Sequence, residues 1–122
     1  MPIDAVRRVV GEEMLIGAST HDLEEVRVSN DMGADYLLFG PVFDTPSKQG
    51  LVSTTGLEPI TELKRNTTIP VFALGGVRRA NLAQILSAGF DGAAAIGEIM
   101  AADQPGQVVS ELRAIAEEFA IR

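Results

Sequence analysis

At 122 residues and 46% hydrophobic content, the chain is long enough for one globular domain with a real core. Its net charge of -7 argues against nucleic acid and against an anionic membrane surface, since both call for a basic face. The absence of cysteine excludes disulfides, a thiol nucleophile and a thiolate metal site, and fits a reducing cytoplasm.

The N-terminus, Met1-Pro2-Ile3-Asp4, has no signal-peptide pattern, and residues 2–10 can form a short opening helix. No apolar run is long enough to span a bilayer as a helix. Four short, nearly continuous apolar runs follow at Met14–Ala18, Asp35–Gly40, Pro70–Leu74 and Gly92–Ile96. Continuous apolar runs suit strands buried on both faces of a parallel sheet.

Helical patterns alternate with these runs. Asp22, with Glu25 three residues on, is close to a capping box. Thr55-Gly56 opens a second helix with Leu57, Ile60 and Leu63 on one face. Leu82, Ile85 and Leu86 mark a third, which Gly89 ends as a C-cap. Val108, Leu112, Ile115 and Phe119 form one apolar stripe on the last. Gly33-Ala34-Asp35-Tyr36 and Gly89-Phe90-Asp91-Gly92 echo each other, a sign of internal (βα)₂ repetition or simply of two similar turns.

This order predicts an α/β fold with a parallel sheet, as a single unit over residues 1–122. A small open doubly wound sheet and half of a (β/α)₈ barrel both fit. Gly17, Gly40, Gly75-Gly76 and Gly97 all fall at strand C-terminal ends, where barrel sites are built, and favour a parallel (βα)₄ half-barrel preceded by a short helix.

Three places could carry chemistry. Leu74-Gly75-Gly76-Val77 can turn sharply and bare N–H groups to a phosphate, with the following helix N-terminus and Ile96-Gly97 beside it. Equally, it can be a plain strand-to-helix turn. Thr45, Pro46, Ser47 and Lys48 lie in the longest loop, where two hydroxyls and an ammonium suit a phosphate or pyrophosphate, or simply a solvated surface. His21, the only histidine, is a candidate acid/base group at a strand end, or a surface residue beside a helix cap. Arg78 and Arg79 could add positive charge but read as solvent-facing. No Asp or Glu cluster has metal-ligand spacing.

Together, Gly17-Ala18-Ser19-Thr20-His21, Gly33-Ala34-Asp35-Tyr36, Gly40-Pro41-Val42-Phe43-Asp44-Thr45-Pro46-Ser47-Lys48, Ala73-Leu74-Gly75-Gly76-Val77 and Asn81 resemble the thiamine phosphate synthase/TenI family. The resemblance runs from about Pro2 to Ala101 and corresponds to the C-terminal half of that family's TIM barrel. The family's synthase condenses hydroxymethylpyrimidine diphosphate with thiazole phosphate, releasing pyrophosphate with the help of Mg²⁺. The resemblance implies that Ser19 and Lys48 contact the pyrimidine diphosphate. Thr45, Pro46 and Ser47 would contact the thiazole phosphate, and Gly76, Ile96 and Gly97 would cradle it. In TenI-type relatives the histidine matching His21 is the acid/base of a thiazole tautomerase.

Two departures are mild: Ser47 stands where Thr is common, and Gly97 where synthases often carry Ser. A larger one is that the family's Mg²⁺ carboxylates and most of its pyrimidine pocket belong to strands one to four, which match nothing here. The resemblance therefore implies thiazole phosphate as ligand, and pyrimidine diphosphate only once the barrel is completed. A homodimer or a partner chain could close it. Met1 before Pro2-Ile3-Asp4 also fits a start placed inside a longer reading frame. The alternatives are a tautomerase using His21 and a non-catalytic phosphate-binding half-barrel.

Overall fold

The computed structural model describes residues 1–44 and 53–120. In chain order these form α1 (Ile3–Val10), β1 (Gly17–Thr20), α2 (Leu23–Asp31), β2 (Tyr36–Phe39), α3 (Ile60–Asn66), β3 (Val71–Leu74), α4 (Arg79–Ala88), β4 (Gly92–Ala94), α5 (Gly97–Met100) and α6 (Pro105–Ala120). The strands pair in parallel in the order β1-β2-β3-β4. Sequential parallel neighbours joined by helices make the half of a TIM barrel that the alternation predicts.

The register assigns each residue to a face. Leu37 pairs with Val71 and Phe39 with Ala73, and all four are buried under the helices. Val26, Ile60, Leu63, Leu82 and Ile85 complete that core from α2, α3 and α4. Tyr36, Leu38, Phe72 and Leu74 point to the opposite face and are only half-buried. Tyr36 packs edge-on against Phe72, with centroids 5.9 Å apart. A Cβ at Gly17 would run into the Tyr36 ring, and one at Gly92 into the Phe72 ring. Glycine in the two outer strands thus gives these aromatics somewhere to lie.

Three element boundaries differ from the sequence pattern. The first strand starts at Gly17, so Met14 and Leu15 precede it and are exposed. The second long helix starts at Ile60 rather than at Thr55-Gly56. The Thr55 and Gly56 N–H groups are instead spent on the carbonyls of Pro41 and Val42, at 2.8 and 3.2 Å. The last strand stops at Ala94, and the chain turns into the short α5. At α2, Asp22 accepts from the Glu25 N–H at 2.8 Å as a cap should. Glu25 faces His21 instead of closing the box.

The two Gly-x-Asp echoes prove to be one device used twice. Asp35 accepts from the Ile16 N–H at 2.8 Å and from Arg7 of α1 at 2.7 Å. Asp91 accepts from the Val71 N–H at 2.9 Å and from Lys64 of α3 at 2.7 Å. Each aspartate ties the entry of its own strand to the entry of the strand before, and borrows a cation from the helix that precedes that earlier strand. The Arg7 guanidinium, then the Ile16 N–H, hold the Asp35 carboxyl below the usual carboxylate range. The unfolded chain therefore binds the extra proton between the two values. This contribution is complete above the ordinary carboxylate value, near pH 4, and is lost as pH falls through the lower folded value. Urea midpoints measured from pH 6 to pH 3 should fall more steeply in the parent than in Asp35→Asn; parallel curves would contradict the tie.

Candidate functional site

The C-terminal ends of the strands carry the residues singled out from the sequence. Ser19 lies on the face that the helices leave uncovered and is exposed, whereas its neighbour Thr20 is buried on the other face and donates to the Leu38 carbonyl at 2.9 Å. His21 follows β1 with its ring exposed; its Nδ1 lies 3.3 Å from Glu25 Oε2, one helical turn on. Thr45, Pro46, Ser47 and Lys48 lie outside the described residues. Both flanks of their loop are described; the first reaches the end of β3 and the second packs back onto the first. Val42 donates to the Leu74 carbonyl at 2.8 Å and Phe43 to that of Gly75 at 3.2 Å. Thr55 and Gly56 then close onto Pro41 and Val42.

Gly75 and Gly76 adopt φ values of +101° and +67°, the left-handed region that glycine enters without penalty. A Cβ on Gly75 would sit 2.7 Å from Pro41, and one on Gly76 would sit 2.7 Å from the Asp44 carbonyl oxygen. The pair of glycines is needed twice, for the turn and for the close approach of the 41–44 segment. Gly97 has open space on its Cβ side. Ile96 is 70% exposed.

The N-terminus of α4 is not the open anion site that a Gly-Gly turn before a helix suggests. The Arg78 N–H is accepted by Asn81 Oδ1 at 2.8 Å, and the Arg79 N–H by Glu98 Oε2 at 2.6 Å. That backbone bond, and next the Arg79 guanidinium, hold the Glu98 carboxyl below its ordinary range. Arg79 is exposed, as the sequence suggests, but is committed as an ion-pair partner, bridging Glu98 at 3.3 Å and Glu111 at 2.7 Å. Among the described residues, the Gly76 and Val77 N–H groups find no acceptor. These two donors lie just before the helix, and within its first turn the Ala80 N–H is likewise without an acceptor among the described residues.

A groove of about 470 Å³ lies elsewhere, between α4, α6 and β4, and is lined by Leu82, Phe90, Ala93, Ile99, Leu112 and Phe119. Of the described residues singled out from the sequence, Ser19, His21, Gly76, Ile96 and Gly97 do not line it, although Val77 does. Among the described residues no cluster of three or more Asp, Glu or His side chains could hold a metal ion. Two of the acidic groups nearest the strand ends are already engaged, Glu98 by Arg79 and Glu25 by His21. The described residues do not fit the Mg²⁺ that the resemblance implies, and no step is assigned to it. No helix among them is long and apolar enough to cross a membrane.

Parallel strands in sequential order, with glycine turns gathered at their C-terminal ends, define a protein of the (β/α)-barrel class. The family model described as thiamine monophosphate synthase matches residues 1–99. A thiamine-phosphate synthase of Syntrophomonas wolfei is 40% identical over 117 residues, covering 96% of this chain and 56% of the relative. One of Chloroflexus aurantiacus is 36% identical, covering 94% and 53%. The solved structure of a thiamine phosphate pyrophosphorylase from Pyrococcus furiosus superposes with a TM-score of 0.85 at 36% identity, covering 98% of this chain and 56% of that one. The chain belongs to the thiamine monophosphate synthase family. It spans about half the length of the relatives it matches.

Proposed function

We propose that this chain, as one unit over residues 1–122, is the thiazole phosphate-binding half of a thiamine phosphate synthase barrel working in the cytoplasm. The observation that carries the reading is the Gly75-Gly76-Val77 turn, whose Gly76 and Val77 N–H groups have no acceptor among the described residues. Unpaired backbone donors at a strand end suit an anionic oxygen. Gly76, Ile96 and Gly97 hold the phosphate through their backbone, and Thr45, Pro46 and Ser47 contact it. Ser19 and Lys48 face the diphosphate of the pyrimidine, which binds only when the remaining strands complete the barrel. A second copy of the chain or a partner chain supplies them.

The test is direct. Thiazole phosphate should bind the purified chain saturably in a calorimetric titration. Mg²⁺ and both substrates should give no thiamine phosphate from the chain alone. Turnover by the lone chain would contradict the need for a complementary half, and absence of binding would remove the pocket.

A second reading, a thiazole tautomerase, is favoured by one contact. Glu25 orients the His21 imidazole from Nδ1 and leaves Nε2 facing solvent at the strand end. If it holds, His21→Ala abolishes isomerisation of the thiazole phosphate while its binding persists; undiminished turnover would sink it. Binding with neither activity would leave a phosphate-binding half-barrel without a reaction of its own.

A further inference from the structure

The turn that offers these donors is held by one side chain. Asn81 sits in the first turn of α4 and is only 8% exposed. Its Nδ2 donates to the Gly76 carbonyl at 2.9 Å, and its Oδ1 accepts from the Arg78 N–H at 2.8 Å. Its own N–H donates to the Arg78 carbonyl at 3.1 Å. A single amide thus spans Gly76, Val77 and Arg78. No other uncharged side chain of this size offers a donor and an acceptor on one rigid plane.

The consequence follows from peptide geometry. The Gly76–Val77 peptide is planar and trans, so its carbonyl and its N–H point in opposite directions. With the carbonyl fixed on Asn81, the Val77 N–H is directed away from α4 and finds no acceptor among the described residues. Val77 itself is 5% exposed, so the orphan donor belongs to a residue whose side chain is committed to the core. A glycine pair at positive φ has little rigidity of its own, and without an anchor this peptide could rotate.

We propose that Asn81 is a positioning residue: by holding the Gly76 carbonyl it aims the Val77 N–H at the ligand's phosphate. Asn81 touches no ligand in this arrangement. The inference rests on the phosphate reading of the Gly75-Gly76-Val77 turn.

Asn81→Asp separates aiming from folding. The carboxylate still accepts from the Arg78 N–H, and its charge suits the first turn of a helix. It cannot donate, so the Gly76 carbonyl meets an acceptor and turns away. The measurement is an amide-resolved NMR titration of the parent and of Asn81→Asp with thiazole phosphate, and again with inorganic phosphate, together with thermal unfolding of both proteins. In the parent, the Val77 amide should shift on saturation with either anion. In Asn81→Asp that response should vanish and both anions should bind about tenfold or more weakly, the loss of one charge-assisted hydrogen bond. Its thermal midpoint should fall only by the few degrees that one lost hydrogen bond costs, leaving the protein folded at the titration temperature. Equal affinity in the two proteins would overturn the role of Asn81 while the phosphate reading stands. Weaker binding in Asn81→Asp with the Val77 response retained, or partial unfolding at the titration temperature, would make Asn81 a structural residue only and would also overturn it. No response of the turn in the parent would remove the phosphate reading and this inference with it.

Discussion

Gly40→Ala is expected to destabilise the protein by at least about 3 kcal/mol, the upper end of the usual overpacking range. A Cβ at this position would overlap the Leu74 carbonyl oxygen and lie 2.9 Å from the carbonyl carbon. The obstacle is backbone of the paired strand, so no rotamer change relieves it. Val42 donates to that same oxygen at 2.8 Å, and the Phe43, Thr55 and Gly56 bonds follow in series. Swinging β2's exit away from β3 would break the series and release the loop that carries Thr45 to Lys48. Against a total stability of roughly 5–15 kcal/mol, such a loss is visible in any urea transition. Gly97→Ala is the matched control. Nothing lies within 4 Å of its added methyl, and a change within about 0.5 kcal/mol is expected. Equal midpoints for Gly40→Ala and the parent would refute the close approach.

Phe39→Ala should cost about 3–5 kcal/mol, the range for truncating a buried aromatic. The ring is 1% exposed and packs 6.4 Å from that of Phe90, linking β2 to the entry of β4. Although Phe39 directly precedes Gly40, its side chain points to the helix-covered face, opposite Ser19, Tyr36 and Leu38. The expected signature is therefore a large drop in urea midpoint with unchanged thiazole phosphate affinity for the fraction that remains folded. A loss of affinity at full folding would mean that the two faces of the sheet are coupled more tightly than the register implies.

Much of this architecture was legible in the sequence, because β2, β3 and β4 are short, apolar and followed by a small residue. Leu37, Phe39, Val71 and Ala73 sit where the apolar runs put them, and Gly89 ends α4 as its placement suggests. The misread boundaries share a cause. Met14 and Leu15 have the composition of a strand, but the pairing with β2 begins only at Gly17, and the Met14 carbonyl accepts from Arg7 instead. Thr55-Gly56 has the composition of a helix start, but tertiary bonds to Pro41 and Val42 take its N–H groups first. At the site, the Gly-Gly turn could be read directly. That Glu98 occupies a donor of α4 could not be, because Glu98 arrives 19 residues later in the chain from another element. Asn81 had a local signal, an amide three residues after the helix cap, which is capping-box spacing.

The paired aspartate ties have a consequence for how the chain can be taken apart. Arg7, Ile16 and Asp35 belong to one helix-strand-helix-strand stretch, and Lys64, Val71 and Asp91 to the next. Neither tie crosses from one stretch to the other. Each stretch carries its own counter-ion and its own strand alignment, so one could be replaced by a homologous stretch without breaking any ion pair described above, with the Arg27–Asn66 and Thr67–Asn30 hydrogen bonds left to be re-made across the seam. The seam for such an exchange runs between β2 and β3, through the same loop that the glycine turn holds against the strand ends.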